Sequence, residues 1–170
     1  MPTFTSMEQL RRYINNKAKK ALDIISAKIE KQLRLNIERY TYGDTENAWY
    51  ERTGEFLESF YAEKSQEIAG EIVGWVTHDP MVMSAPINRG DEAQETYRHG
   101  NALKGIDRRE KLAEILNVSG VNGSFDWKGK ERQPFFDITI QWLEQSFDKL
   151  VIDAFKQVGI TLDRDLSEIF

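Results

Sequence analysis

The chain has 170 residues, 40% of them hydrophobic and 30% charged, the composition of a globular domain long enough to bury a core. It has no cysteine, which excludes disulfides, thiolate nucleophiles and cysteine-ligated zinc and is compatible with a reducing cytoplasm; no apolar run has the length of a transmembrane helix. The net charge of −5 hides a split: residues 1–40 carry nine Lys or Arg against four Asp or Glu, a balance of +5, whereas residues 41–170 carry −10. Such asymmetry fits a nucleic-acid-binding arm, a basic face that meets the acidic surface of a neighbour, or simply a solvated helix face.

The first forty residues are expected to form one long helix. Met7, Leu10, Ile14, Ala18, Ala21, Leu22, Ile25, Ile29, Leu33, Ile37 and Tyr40 follow one another in helical steps, and no Gly or Pro intervenes before Gly43. Ser6 with Gln9, or Thr5 with Glu8, supplies a capping box. A helix this long exceeds the diameter of a small domain, so part of it is expected to project or to pack on another subunit. The stretch starting "MPTFTSMEQLRR" has no apolar segment, so no signal peptide is expected.

Residues 44–54 read as loop. Two strands are expected, Phe60 to Lys64 and Glu71 to Thr77, joined by a turn over Gln66 to Gly70. Ile72, Val73, Trp75 and Val76 put apolar side chains on both faces of the second strand, which predicts cover on both sides. Asp79 to Gly105 reads as a long loop, mobile in the isolated subunit, with a short helical turn at Asp91–Tyr97. A short amphipathic helix is expected at Asp107 to Leu116, followed by a turn-rich segment.

Pro134 suits the first turn of a C-terminal helix. Its buried face would comprise Phe135, Ile138, Trp142, Leu143, Phe147, Leu150, Val151, Ala154, Phe155 and Val158, with Gly159 at the C-cap and a last short strand at Ile160 to Leu162. The expected fold is α+β, one domain over residues 1–170: a long N-terminal helix, a small antiparallel sheet, and a long C-terminal helix packed on the sheet.

Catalytic patterns are weak. His78-Asp79 with His99 and Asp107 matches no metal-ligand spacing, and Ser59 or Ser84 lacks the frame of a nucleophile elbow. Glu55 and Glu58 are two of 28 acidic residues, so their proximity has little weight. There is no phosphate-binding glycine loop of either common type. No enzyme activity, cofactor or metal is expected. Trp75 and Trp142 read as core; Trp49 and Trp127 lie beside charges in loop segments, where aromatic residues favour protein contacts.

The order of these features resembles the small head–tail joining or tail-completion proteins of long-tailed bacteriophages. Arg52-Thr53-Gly54-Glu55-Phe56-Leu57-Glu58-Ser59 is similar to the R-T-G-x-L-x-x-S segment of that family, with one residue inserted before the leucine or with Phe56 in the leucine's place. Glu71-Ile72-Val73-Gly74 stands where its second hairpin strand belongs, and Arg132-Gln133-Pro134-Phe135 approximates the R-P-F start of its C-terminal helix. The Pro-Ala pair that often follows is replaced here by Asp137-Ile138. The resemblance implies a virion structural protein that forms a homo-oligomeric ring in the neck, assembled in the host cytoplasm. Its neighbours would be connector-side and tail proteins; DNA would pass without sequence-specific binding, and no membrane is involved. The alternatives are a tail terminator ring or a nucleic-acid-binding protein using the basic helix. Gly54 would let the chain reverse, Thr53 would cap the next turn, and Arg52 would meet a carboxylate, so that this corner serves assembly. Arg12, Lys17, Lys20, Lys31 and Arg34, with Trp49 and Trp127, complete the expected interface.

Overall fold

The computed structural model describes residues 2–42, 55–82 and 134–162. The fold is α+β, as expected: a long N-terminal helix, a small antiparallel β region and a C-terminal helix that packs on it. Helix α1 runs Met7–Ile37, about 46 Å at the usual rise, and its last residues pass into a π-helical turn, Glu38–Tyr42. A single turn of helix, α2 (Glu55–Glu58), precedes four short strands: β1 (Phe60–Ala62), β2 (Gln66–Ile68), β3 (Glu71–Val73) and β4 (Val76–His78). A 3-10 turn (Pro80–Val82) follows, and helix α3 spans Phe135–Gln157.

Two local sequence signals work as read. Ser6 is the N-cap of α1: its Oγ accepts from the Gln9 amide at 3.2 Å, while the Gln9 side chain reaches back to accept from the Thr5 amide at 3.0 Å. At the other end of the chain, Gly159 (φ 81°) turns α3 off. The Gly159 amide donates to Lys156 and the Ile160 amide to Phe155, the paired bonds of a Schellman cap.

The sheet differs from expectation. The two long strands are four short ones, with β1 paired to β4 and β2 to β3. Residues 66–68, expected as turn, are strand; the turn is only Ala69-Gly70, both with positive φ (53° and 89°), which fits the right-handed twist of the flanking strands. The second strand breaks at Gly74-Trp75 because the chain there is pressed onto α1. A Cβ on Gly74 would meet Ser26 Oγ at 2.8 Å and Leu22 Cβ at 3.4 Å. Nor is that strand covered on both sides, since Glu71 and Val73 are exposed. No strand forms at Ile160 to Leu162; the Schellman turn carries the chain away without a partner strand among the described residues. Phe147, placed on the buried stripe of α3, is 41% exposed, and Trp75 and Trp142 are half-buried rather than core.

The chain divides into two compact units. The first holds residues 2–31, 62–77 and 142–162. Its core is small: Ala21 and Ile25 of α1 pack with Ala154 and Val158, and Leu22, Ile24, Ile29, Val151 and Phe155 border them. Side-chain and backbone polar groups of α1 then hold the segment that leads into the hairpin. Glu30 accepts from the Ala62 amide at 2.8 Å, Asp23 accepts from the Ser65 amide at 2.7 Å, and the Ser65 hydroxyl donates to the Lys19 carbonyl at 2.9 Å. Burial works against the Asp23 charge, but the Ser65 amide and the Lys64 ammonium outweigh it and hold the carboxyl below its ordinary range.

The second unit holds residues 32–42, 55–61, 78–82 and 134–141. It is built on rings. Phe56 meets Phe60 edge-on at 5.3 Å and Phe135 at 6.1 Å, and Phe136 meets Phe60 at 5.8 Å. The His78 ring stacks on Phe60 at 4.6 Å. Beside this cluster lies a buried polar chain that sequence periodicity did not reveal. Asn36 Nδ2 donates to Thr139 Oγ1 at 2.9 Å, and Thr139 Oγ1 donates to the Phe135 carbonyl at 2.6 Å.

Candidate functional site

The described part of the expected interface is the set of basic residues on α1, and they have separate uses. Arg34 turns inward within the second unit: Nε and Nη2 both donate to the Phe60 carbonyl, at 3.0 and 2.6 Å. A guanidinium is suited to this because its forked donors share one acceptor, and the bond fixes the start of β1. Lys17, in the first unit, donates from Nζ to the Val158 carbonyl and lies 5.5 Å from the Tyr13 ring centroid. It thus places a cation at the C-terminus of α3, where the helix dipole favours one. Arg12 pairs with Glu8 one turn earlier, in full solvent. Lys20 and Lys31 are exposed. The basic face is therefore part fastener and part open surface. Trp49, Arg52, Thr53, Gly54 and Trp127 lie outside the described residues, as do His99, Asp107, the proposed short helix at 107–116 and the long loop beyond Val82.

Next to these charges the N-terminal turns of α1 keep an apolar face. Met7 is 79% exposed and Ile14 46%, with half-buried Leu10 between them. Met7, Leu10 and Ile14, flanked by Glu8, Arg11 and Asn15, all on α1, line a shallow groove that is largely open to solvent. The hairpin carries a second exposed face. In the register Gln66 opposite Val73 and Ile68 opposite Glu71, these four side chains share one side, and Ile68 is 50% exposed. Glu67, on the other side, pairs with Lys19 of α1 at 3.5 Å.

The catalytic candidates within the described residues do not assemble. Ser59 is wholly buried and its hydroxyl donates to the Phe56 carbonyl at 2.7 Å, so it has no nucleophile's exposure. Glu58 is exposed. Asp79 Oδ1 accepts from the Met81 amide at 2.8 Å and shapes the 3-10 turn. Burial lowers the pKa of His78 from its ordinary value, although Asp79 pulls the other way, and Nε2 is buried without a hydrogen-bond partner. Among the described residues no group of three His, Asp or Glu side chains could hold a metal, and no helix is long and apolar enough to cross a membrane.

No known family model, curated protein or solved structure matches this chain.

Proposed function

We propose that this chain is a virion structural protein, a ring component at the head–tail junction of a long-tailed bacteriophage that joins connector and tail and leaves a channel for DNA. The reading rests on the order of features along the chain. A long basic helix comes first, then the Arg52-Thr53-Gly54 segment, a β-hairpin, and a helix that opens at Pro134-Phe135. Two further observations support it. A ring needs two different complementary faces on one chain, and this chain has a basic first segment and an acidic remainder. An exposed apolar face on α1 is also what a subunit keeps for a neighbour. The role is structural rather than catalytic. The protein would reside in the virion neck with connector-side and tail proteins beside it.

Interrupting the gene in the phage genome that carries it is the decisive experiment. Filled heads and finished tails should accumulate unjoined by electron microscopy; normal virions would end the proposal. A portal and major capsid gene upstream with a tail-tube gene downstream is the expected neighbourhood, and a metabolic operon would contradict it. Lys20→Glu with Lys31→Glu reverses two exposed charges and should reduce incorporation into particles while circular dichroism stays unchanged. Incorporation at wild-type levels would show that this face is not an assembly surface. Tight, strongly salt-dependent DNA binding by the isolated wild-type chain would favour the nucleic-acid reading instead.

A further inference from the structure

The groove on α1 and the outer face of the hairpin are complementary in three respects. The first is apolar surface. Met7 and Ile14, two turns apart, stand about 10 Å from each other along the helix, with Leu10 between. Ile68 and Val73 lie on a diagonal of the β2–β3 ladder, about 7–8 Å apart, a span two side chains can lay along that groove. The second is charge. Arg11 lines the groove, and Glu71 stands beside Ile68 on the same exposed face. The third is an uncharged polar group on each side: Asn15, one turn after Arg11, and Gln66, on the other diagonal from Glu71; the groove's carboxylate, Glu8, is paired with Arg12.

The two faces of one chain do not meet. The inner side of the hairpin is tied to α1 further along, through Glu67 to Lys19 and through Gly74 against Leu22 and Ser26. Because strand side chains alternate, that attachment turns Ile68, Glu71 and Val73 away from α1. A hairpin that reaches the groove must therefore come from another molecule.

We infer that the Met7–Leu10–Ile14 groove of one chain receives the outer hairpin face of a second copy, with Ile68 and Val73 in the groove and Glu71 paired with Arg11. This rests on the ring assignment above for its occupant and supplies the subunit contact. The contact joins two different surfaces, so every subunit offers one of each. Repetition gives a closed ring when the rotation closes, and a filament otherwise. Five apolar side chains, three from the groove and two from the hairpin, and one ion pair make a contact at the small end of the specific range, so association is concentration-dependent and weakened by salt.

The test uses the full chain in sedimentation velocity, with circular dichroism to check the fold. Wild type should form species larger than a dimer as concentration rises. Ile14→Asp spoils the groove and Ile68→Asp spoils the hairpin face; each alone should be monomeric. Each retains one intact face, so an equimolar mixture should form a dimer and stop there. Arg11→Glu and Glu71→Arg, whose side chains are exposed, should each weaken association, and the double variant should recover it. Wild type that stays monomeric to about 1 mM overturns the inference, whether another protein or another part of this chain fills the groove. So does full association by Ile14→Asp or Ile68→Asp, or a mixture that does not pair. The outcomes separate from those for the neck role. A chain that assembles through these faces yet is dispensable for joining heads to tails removes the neck assignment and leaves the contact. A monomer that is required for joining does the reverse.

Discussion

The two units reach order by opposite means. In the unit built on residues 32–42, 55–61, 78–82 and 134–141, the interior is filled by large rings: Phe56, Phe60, Phe135 and Phe136, with His78 stacked among them. In the other, Ala21 and Ala154 are fully buried beside Ile25 and Val158, and α1 holds the hairpin by Asp23, Glu30 and Lys19 rather than by bulk. A ring-filled interior depends on what is present. An alanine-lined interior depends on what is absent, because small side chains permit the approach and leave no room for larger ones. The first should fail on subtraction and the second on addition.

Phe60→Ala is the strongest way to break the first. Phe60 is almost wholly buried and touches three other rings, so its removal should cost about 3–5 kcal/mol in denaturant-induced unfolding. A loss under 1 kcal/mol would mean that the cluster is loosely packed. Ala154→Leu is the counterpart in the second unit. It adds volume where none is open and should cost about 1–3 kcal/mol, although the same change on an exposed helix face is nearly neutral. Neutrality at Ala154 would dissolve the contrast.

Acid sharpens the comparison. Burial holds the His78 pKa below 6.5, so the folded state favours the neutral ring. The unfolded state then binds more protons, and stability that is complete above pH 6.5 declines as the pH falls through the lowered value. Asp23 is also lowered, from 3.8, and its contribution is lost only when the pH falls below that ordinary value. Hydrogen exchange should therefore show the aromatic unit loosening as the pH falls below 6.5, with the Asp23–Ser65 region affected only in stronger acid. His78→Leu should flatten the first phase; an unchanged profile would dismiss His78 as its source. The smallest effect belongs to the hairpin tip. Ala69 holds a positive φ that favours Asn or Gly, so Ala69→Asn should raise stability by about 0.5–1 kcal/mol, measured by thermal unfolding. A loss there would mean that the Ala69 turn carries no strain for Asn to relieve.

What could be read from the sequence was what neighbours in sequence decide. The helical spacing of the apolar residues, Ser6 with Gln9, Pro134 and Gly159 act over one or two turns, and the start of α1 and both ends of α3 fall where these signals put them, whereas α1 gives way to a π-helical turn at Glu38, short of the forty residues expected. The break at Gly74 is imposed by Leu22 and Ser26, some fifty residues earlier, and leaves no local trace. Thr139 is absent from the apolar stripe expected for α3, yet it is buried because Asn36 completes its hydrogen bonds. Arg34 and Lys17 looked like surface charge for the same reason: sequence gives the sign of a side chain but not the carbonyl it reaches. The exposed faces of α1 and the hairpin were half legible. The length of α1 announced an unpartnered end, but which side of β3 stays open depends on the register.

The bond from Lys17 to the Val158 carbonyl joins residues 141 positions apart. During synthesis at about 5–20 residues per second, α1 would wait roughly 7–28 s for its partner to be made. Through that interval the stripe around Ala21 and Ile25 is open to solvent on a nascent chain, at the stage when hydrophobic surface most invites aggregation. A protein with this arrangement should depend on the speed of its ribosome and on the chaperones that meet it, and slow codons placed late in the message should lower its soluble yield more than the same codons placed early.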